Sequence, residues 1–401
     1  MIRFIHTADN HLGNLFKGFS NKQKSEEARE AVNQAFRTVA QLAIQKQVDF
    51  VLISGDLYNS EQQHIQELLL VQEEFERLRK AEISVFMIQG NHDFEQQTNL
   101  LPFPNNVVVF DKTIDTKTYT SKQGEVVALS GFSYATRWVR ESMIQQFPFR
   151  DEAVDYHIGL YHGSIDSADS EHAHYAPFSL MEMKQKNYDY WALGHIHKRE
   201  ILSHIPMIAY SGNTQGLKRT ETGEKGCYLV EIEKQQPPVL TFLPTSQFIW
   251  KEMSISLAGI FTATECYEVI RTALNTYKEE KTVYVSIYIT DYEIELASIL
   301  SQQAIPSSFV PEQIVVYKVI VQPLTKKHFW NEELTTAYQQ QIKEVETTVE
   351  SVLTPLFQQK QVMCYFSEWQ HDPNFKQEVF DKAQLLIQEQ FATREGFKDE
   401  D

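Results

Sequence analysis

The sequence predicts an α/β fold. Two observations carry that reading. Short apolar runs alternate with stretches whose apolar residues recur at helical spacing. Five clusters rich in aspartate and histidine each follow one of the short runs.

The elements follow in chain order. Ile2–Thr7 is a compact strand. Residues 26–47 place Ala28, Val32, Ala35, Phe36, Val39, Leu42 and Ala43 at helical spacing. Residues 50–53 form a second strand. Residues 64–80 carry the stripe Ile65, Leu68, Leu69, Phe75 and Leu78, and residues 85–88 form a third strand. Strand, helix, strand, helix, strand implies parallel pairing with right-handed crossovers. Further strands are expected at 126–129, 157–161, 190–193, Met207–Tyr210, Gly226–Ile232 and 239–243, the last two joined as a hairpin over 234–238. The first domain is expected to close at residue 245.

From residue 248 the texture changes. Strands at 252–257, Thr282–Thr290 and Ile314–Val321, with helices at 264–278 and 292–301, suggest a small α+β domain over 248–325. Beyond it, residues 327–401 read as helical, with amphipathic segments at 337–357 and 374–391 and an acidic end.

Composition narrows the class. With 42% apolar and 23% charged residues, the 401-residue chain can bury a core without covalent staples. Cys227, Cys266 and Cys364 lie far apart, so no disulfide framework or thiolate metal site is expected. The opening residues are broken by Arg3 and His6 and do not read as a signal peptide, and no apolar run approaches a membrane span. The expected location is cytoplasmic, with no membrane partner. The 37 basic against 54 acidic residues give −17, which argues against broad electrostatic binding of nucleic acid. Bound divalent cations or a basic partner subunit would offset that charge.

The clusters are Asp9-Asn10-His11, Gly55-Asp56, Gly90-Asn91-His92-Asp93, Tyr161-His162-Gly163 and Gly194-His195-Ile196-His197. They offer carboxylates, imidazoles and one amide oxygen but no sulfur. That donor set suits divalent ions such as manganese, iron or zinc. Each cluster follows a predicted strand, and in open α/β sheets the loops beyond the strands' carboxyl ends form the ligand crevice. The glycines before Asp56, Asn91 and His195 are expected to permit tight turns. Asp9 and His11, two apart in an extended loop, would point to one side and share a metal, and His195 and His197 would face neighbouring positions. Together there are donors enough for two metals sharing one carboxylate.

These motifs, in this order, resemble the calcineurin-like metallophosphoesterases over residues 1–245. The phrases HTADNHLG and GDLY and residues 210–232 resemble the narrower branch of DNA-repair nucleases called SbcD, particularly YhaO-like bacterial proteins. The resemblance implies a sandwich of mixed sheets flanked by helices, with the α+β domain as a cap and helices at the C-terminus. It also implies two divalent metal ions, manganese foremost. Asp9, His11, Asp56 and His197 would hold one ion; Asp56, Asn91, His162 and His195 would hold the other, with Asp56 bridging. His92 would be catalytic, protonating the leaving oxygen or stabilising developing charge rather than binding metal. Asp93 would stand behind the ligands, fixing a ring tautomer or simply bonding the local turn.

The implied activity is DNA exonuclease and endonuclease action in DNA repair. The implied partners are DNA, a coiled-coil ATPase of the SbcC or YhaN type, and a second copy of the chain as a homodimer. Two alternatives stay open: a phosphoesterase of cyclic nucleotides or nucleotides, and a DNA-end-binding scaffold with vestigial activity. Some relatives carry a histidine three residues after the bridging aspartate, where this chain has Asn59, with His64 nearby. Lys218, Arg219 and Lys225 could touch a nucleic-acid backbone, and Tyr284, Tyr288 and Tyr292 could stack bases or pack within a sheet. His172 and His174 form another H-x-H, but in a polar stretch with no strand leading in.

Overall fold

The computed structural model describes residues 1–322 apart from residues 17, 20–21, 60–64, 95–100, 167–174, 279, 294–295, 297–298 and 301–304, and beyond them residues 354–355, 357, 375–379 and 382–383. Two compact units divide the chain: Met1–Lys251 with Lys281–Val283, and Glu252–Glu280 with Tyr284–Asp401.

The first unit contains β1 (Ile2–Thr7), α1 (Lys22–Gln45), β2 (Phe50–Ser54), α2 (Ile65–Lys80), β3 (Ser84–Ile88), β4 (Val107–Val109), β5 (Asp115–Thr120) and β6 (Val126–Gly131). It continues with β7 (Tyr156–His162), α3 (Leu180–Gln185), β8 (Tyr190–Gly194), β9 (Glu200–His204), β10 (Met207–Tyr210), β11 (Gly226–Ile232) and β12 (Val239–Pro244). The strands form two six-stranded mixed sheets, ordered β12-β11-β1-β2-β3-β4 and β5-β6-β7-β8-β10-β9. β1, β2, β3 and β4 run parallel, as do β6, β7, β8 and β10. The expected hairpin of β11 and β12 pairs antiparallel, Gly226 opposite Pro244.

Alternation along the strands explains the layers. Ile2, Phe4, Phe50, Leu52, Phe86 and Ile88 of one sheet pack against Val127, Leu129, Ile158, Leu160, Tyr190 and Ala192 of the other. The outer face of the second sheet is covered by a further cluster that includes Phe132, Phe147, Tyr161, Phe178, Tyr188 and Trp191. α1 buries Val32, Ala35, Phe36 and Val39, and α2 buries Leu68, Val71, Phe75 and Leu78. Glu67, buried on α2, accepts from Arg29 Nε of α1 at 3.0 Å and so ties the two helices. Each helix stops at a left-handed residue, Gln47 (φ 51°) and Glu82 (φ 57°). The next N–H then reaches back, Val48 to Ala43 and Ile83 to Leu78, and satisfies a terminal carbonyl.

Several elements were not anticipated. β4 is only three residues long, and β5 (DTKTYT) and β9 are polar strands at one end of a sheet or the other. One-sided burial leaves too little apolar signal to read. α1 begins four residues before the expected start at residue 26, because its first turn, Lys22–Ser25, is polar and half-exposed or exposed.

Most of β13 (Phe248–Ser256) and β14 (Thr282–Thr290) and all of β15 (Ile314–Val321) lie in the second unit, and the three strands form a sheet in that order. β13 starts four residues before the strand expected at 252. α4 (Ala263–Leu274) opens with a capping box between Thr262 and Glu265 and buries Cys266, Ile270 and Leu274 at four-residue spacing. It ends at Leu274, short of the expected 278. The helix expected at 292–301 falls partly outside the described residues. Those expected at 337–357 and 374–391 fall largely outside them.

Candidate metal centre

The loops that follow β1, β2, β3, β7 and β8 bring their polar clusters together. Asp9, His11 and His197 place donor atoms within 4.8 Å of one another; so do His11, Asp56 and His92, and Asp9, Asp56 and His162. Asp9, His11, Asp56, Asn91 and His162 are buried, whereas His92, His195 and His197 are half-buried.

Backbone hydrogen bonds lace the loops. Asp9 N–H donates to Gly55 O at 3.1 Å and His11 N–H to Asp56 O at 3.0 Å, joining the β1 and β2 loops. His195 N–H donates to both Asp9 carboxylate oxygens, at 3.0 and 3.1 Å, and so joins the two sheets. His92 N–H donates to Asp56 Oδ1 at 2.9 Å.

Two groups of donors meet at Asp56. On one side His11 Nε2 lies 3.0 Å from His197 Nε2 and 3.8 Å from Asp56 Oδ2. On the other His162 Nε2 lies 3.3 Å from Asp56 Oδ2 and 3.1 Å from Asn91 Oδ1, which is also 3.2 Å from His195 Nδ1. The two histidines of the H-x-H therefore serve opposite groups.

The backbone that aims these side chains is strained rather than extended. Asp9 (φ 50°), His11 (48°), Asp56 (51°) and His195 (95°) all lie in the left-handed region, which costs a side chain of this kind on the order of 1 kcal/mol or more. The expectation of an extended D-x-H loop is corrected accordingly: turns, not strand alternation, bring Asp9 and His11 together. The glycine expectation also changes. Only Gly55 (φ 92°) among the three supplies a left-handed turn. Gly90 is needed for closeness, since a Cβ there would stand 2.3 Å from Asp56 Oδ1 and 2.7 Å from His162 Nε2. A Cβ on Gly194 would stand 2.0 Å from Ser54 O.

Electrostatics follow from burying so many ionisable groups together. Burial pushes Asp9 up to about 6. Burial also opposes charge on Asp56, but His162, His92 and His11 outweigh it and hold the carboxyl well below its ordinary value. Burial lowers His162 while Asp56 and Asp9 raise it, and the carboxylates win, bringing it to about 9. Burial, with His197 and His92 nearby, holds His11 well below 6.5. Its buried Nδ1 has no hydrogen-bond partner. Carboxylate, amide and imidazole lone pairs aimed at one another are the arrangement that divalent cations satisfy in place of protons. The residues thus fit a pair of such ions.

Neighbouring groups orient the rings. Glu221 Oε1 lies 2.8 Å from His197 Nδ1. Glu221 also accepts from Asn213 Nδ2 and Leu217 N, each at 2.7 Å. Burial raises it, but His197, the Leu217 N–H and the Lys218 charge bring it down to about 2. Its charge raises His197 against the opposing effect of burial. Sequence reasoning missed Glu221; the available signal was a carboxylate inside the phrase 210–232, the usual companion of a ligating histidine. His162 Nδ1 lies 2.9 Å from Ser54 O, and His92 Nδ1 lies 3.0 Å from Asn59 O. Position 59 therefore meets His92 through its backbone.

Asp93 has a different task from the tautomer-fixing one. Its Oδ1 accepts from Gly90 N–H at 2.7 Å, and its Oδ2 from Leu57 N–H at 2.8 Å and Tyr58 N–H at 3.4 Å. It clamps the β2 and β3 loops. Burial and the nearby Asp56 charge push it up to about 7. Lys225 Nζ donates to His197 O at 3.3 Å and braces that loop. Tyr284 and Tyr292 are buried, as sheet packing requires, and Tyr288 donates to Glu252 Oε1 at 2.9 Å. His64, His172 and His174 lie outside the described residues.

A family model described as calcineurin-like phosphoesterase matches residues 2–199. The uncharacterized metallophosphoesterase YhaO of Bacillus subtilis (strain 168) is 31% identical over 284 residues, which cover 70% of this chain and 69% of that protein. This chain belongs to the calcineurin-like phosphoesterase family. Two further relatives carry more specific names. The DNA double-strand break repair protein Mre11 of Methanocaldococcus jannaschii is 29% identical over 241 residues, 57% of this chain and 62% of the relative. The SbcD subunit of the nuclease SbcCD from Staphylococcus epidermidis is 25% identical over 278 residues, 61% of this chain and 69% of the relative. The calcineurin-like domain makes this protein a metal-dependent phosphoesterase, a hydrolase of ester bonds. Among the described residues no helix is long and apolar enough to cross a membrane.

Proposed function

We propose that this phosphoesterase cleaves phosphodiester bonds of DNA, as an exonuclease and endonuclease in cytoplasmic DNA repair. In this reading it works with a coiled-coil ATPase of the SbcC or YhaN type, and its cation is Mn2+. The observation that carries the reading is the pair of donor groups sharing Asp56, with the His92 ring grouped with His11 and Asp56 and its backbone N–H donating to that carboxylate. The relatives named as part of a nuclease and as a break-repair protein support DNA as the substrate.

Asp9, His11, Asp56 and His197 hold one cation in this proposal, and Asp56, Asn91, His162 and His195 the other. Divalent ions held there would supply Lewis acidity to the phosphate and to a water. The remaining work belongs to the chain. Glu221 keeps His197 turned toward the cluster. The strained turns hold Asp9, His11 and Asp56 in place before substrate arrives. His92 donates Nδ1–H to Asn59 O, which leaves Nε2 to carry a proton to the departing oxygen. The domain scheme of 1–245, 248–325 and 327–401, with the second domain as a cap, belongs to the same proposal, as does a homodimer.

One observation favours a second reading. The −17 balance suits a small substrate, such as a cyclic nucleotide or a nucleotide, better than a polyanion. A single experiment separates them. Protein with manganese is offered end-labelled duplex, single-stranded DNA and cyclic nucleotides, with and without the candidate ATPase. Progressive shortening of DNA is the expected result. Turnover of small esters alone would install the second reading, and DNA binding without turnover of anything would leave a scaffold.

A further inference from the structure

A small cavity shares His197 with the metal centre. It encloses about 140 Å³, the room of four or five waters at ~30 Å³ each. Its walls are residues 197–199 ahead of β9, parts of the β10–β11 connection, and Phe242 of β12. Among the lining residues only His197 belongs to the donor groups described above.

The cavity carries cations without matching acids. Lys198, Arg199 and Lys225 line it, with one carboxylate, Glu224. Glu224 is already engaged: both its oxygens lie 3.1 Å from Lys281 Nζ, and Oε2 also accepts from Ser246 Oγ at 3.3 Å. Lys198 lies 3.6 Å from Glu200. Arg199 pairs with no carboxylate among the described residues; its guanidinium carbon stands 3.4 Å from the Phe242 ring centroid instead. That contact uses the flat face of the group and leaves its N–H edge for a fork-shaped acceptor. Lys225 donates one of its three N–H bonds to His197 O, at 3.3 Å. Burial opposes its charge, Glu221 favours it and Arg199 opposes it again, so the ammonium ends below its ordinary range.

The fold holds these groups in place. Gly212 has φ 71°, and a Cβ there would stand 2.8 Å from Arg199 N and 2.9 Å from His197 O. Glycine at this position lets the β10–β11 connection press on the backbone that carries Arg199. Asn213 N–H donates to His197 O at 3.3 Å, and Gly226 N–H to Asn213 O at 3.2 Å. The Asn213 side chain is buried in the same wall. Its Nδ2 donates to Glu221 Oε2 at 2.7 Å, which fixes the sense of the amide, and its Oδ1 has no hydrogen-bond partner. A buried acceptor without a donor is costly, and a ligand that brings an O–H relieves that cost.

We propose that the cavity binds inorganic hydrogen phosphate, outside the metal centre. The Arg199 fork and the Lys225 ammonium meet its charged oxygens, and Asn213 Oδ1 accepts its O–H. Two cations and a lone acceptor suit this ion better than its near relatives. Sulfate has the same shape but no proton, and a phosphate monoester has largely lost its own at neutral pH. The site stands whether or not the substrate is DNA.

The test is equilibrium dialysis of radiolabelled inorganic phosphate against the full chain. The metal is stripped with EDTA, and the chelator is then dialysed away because it is itself a polyanion. Wild type is expected to bind a single phosphate at millimolar concentration or below. Arg199→Gln is expected to weaken binding roughly 10- to 100-fold, the loss of a bond to a charged group. Arg199→Lys, which keeps the charge but not the fork, should fall between the two. Lys112→Gln, which alters an exposed lysine outside the cavity, should change nothing. Sulfate and AMP are the competing probes, each expected to displace the label roughly tenfold less well than phosphate, since neither supplies the O–H. Sulfate competing equally overturns the choice of hydrogen phosphate, and AMP competing equally overturns it in favour of a phosphate ester end. Equal affinity in wild type and Arg199→Gln places the phosphate on the histidines of the donor cluster and overturns the site, as does an absence of binding to wild type. Should Arg199→Gln fail to fold, Arg199→Lys and the wild-type competition decide the matter.

Discussion

The Glu221 carboxylate stands 2.8 Å from Nδ1 of His197, and His197 Nε2 in turn faces His11 Nε2 at 3.0 Å. A buried acid therefore sets the tautomer of a ring that bears on the metal centre, from a loop 24 residues away.

Glu221→Gln keeps the side-chain volume but removes the charge that raises His197. Metal affinity is expected to fall roughly 10- to 100-fold, the usual effect of losing such a partner. Titration of the apo protein with manganese, read by calorimetry, measures it; unchanged affinity would show that the contact is only structural.

Asp56 is the carboxylate common to both donor groups. Asp56→Asn is expected to abolish manganese-dependent hydrolysis and to lower the metal found after dialysis. Near wild-type turnover in that variant would end the bridging assignment.

His92 is proposed to handle a proton. His92→Gln is expected to retain both cations while losing roughly 10²- to 10⁴-fold in turnover. Metal content and rate are measured on the same preparation. If both fall together, His92 belongs among the ligands, as its grouping with His11 and Asp56 would allow.

Gly90 is a question of space. A Cβ there would collide with Asp56 Oδ1 and His162 Nε2. Gly90→Ala is expected to fold, by circular dichroism, yet bind manganese at least tenfold more weakly. Wild-type binding would mean that the loop yields at little cost.

Two histidines away from the site are expected to contribute less stability in acid. Burial holds His6 at about 3, and burial with the Arg150 charge holds His157 at about 4, against 6.5 for a free ring. Both are neutral when folded: His6 bonds Tyr190 Oη and Leu193 O, and His157 bonds Ser130 Oγ and accepts from Asp151 N–H. The unfolded chain takes up their protons below 6.5, so their contribution to stability is whole above that value and declines as pH falls toward 4 for His157 and 3 for His6. Asp9 and Asp93, raised to about 6 and about 7, act in the opposite direction in metal-free protein. The check is therefore a difference: in urea unfolding in EDTA at pH 7, 5.5 and 4.5, the stability gap between wild type and His157→Gln should narrow as pH falls.

The five clusters were legible because each joins two local signals, a short apolar strand and a polar turn after it. His195-Ile196-His197 announces its chemistry within three residues. What each side chain does was less legible. Asp93, in the same short motif as Gly90, bonds the backbone of Leu57 and Tyr58 on another loop, and no spacing within that motif records the contact. Polar end strands such as β5 escaped for a related reason, since burial of one face only leaves half the pattern.

The sequence by itself determined the donor types, their places at strand ends and the α/β alternation that gathers those ends. These depend on chemistry and periodicity, which are local. The tertiary structure alone decided that Glu221 backs His197, that Asp9 meets the His195 backbone 186 residues away, and that left-handed turns rather than an extended loop aim Asp9 and His11. Such contacts are set by how two sheets pack and how far their loops must bend to meet, and a linear pattern carries no record of either.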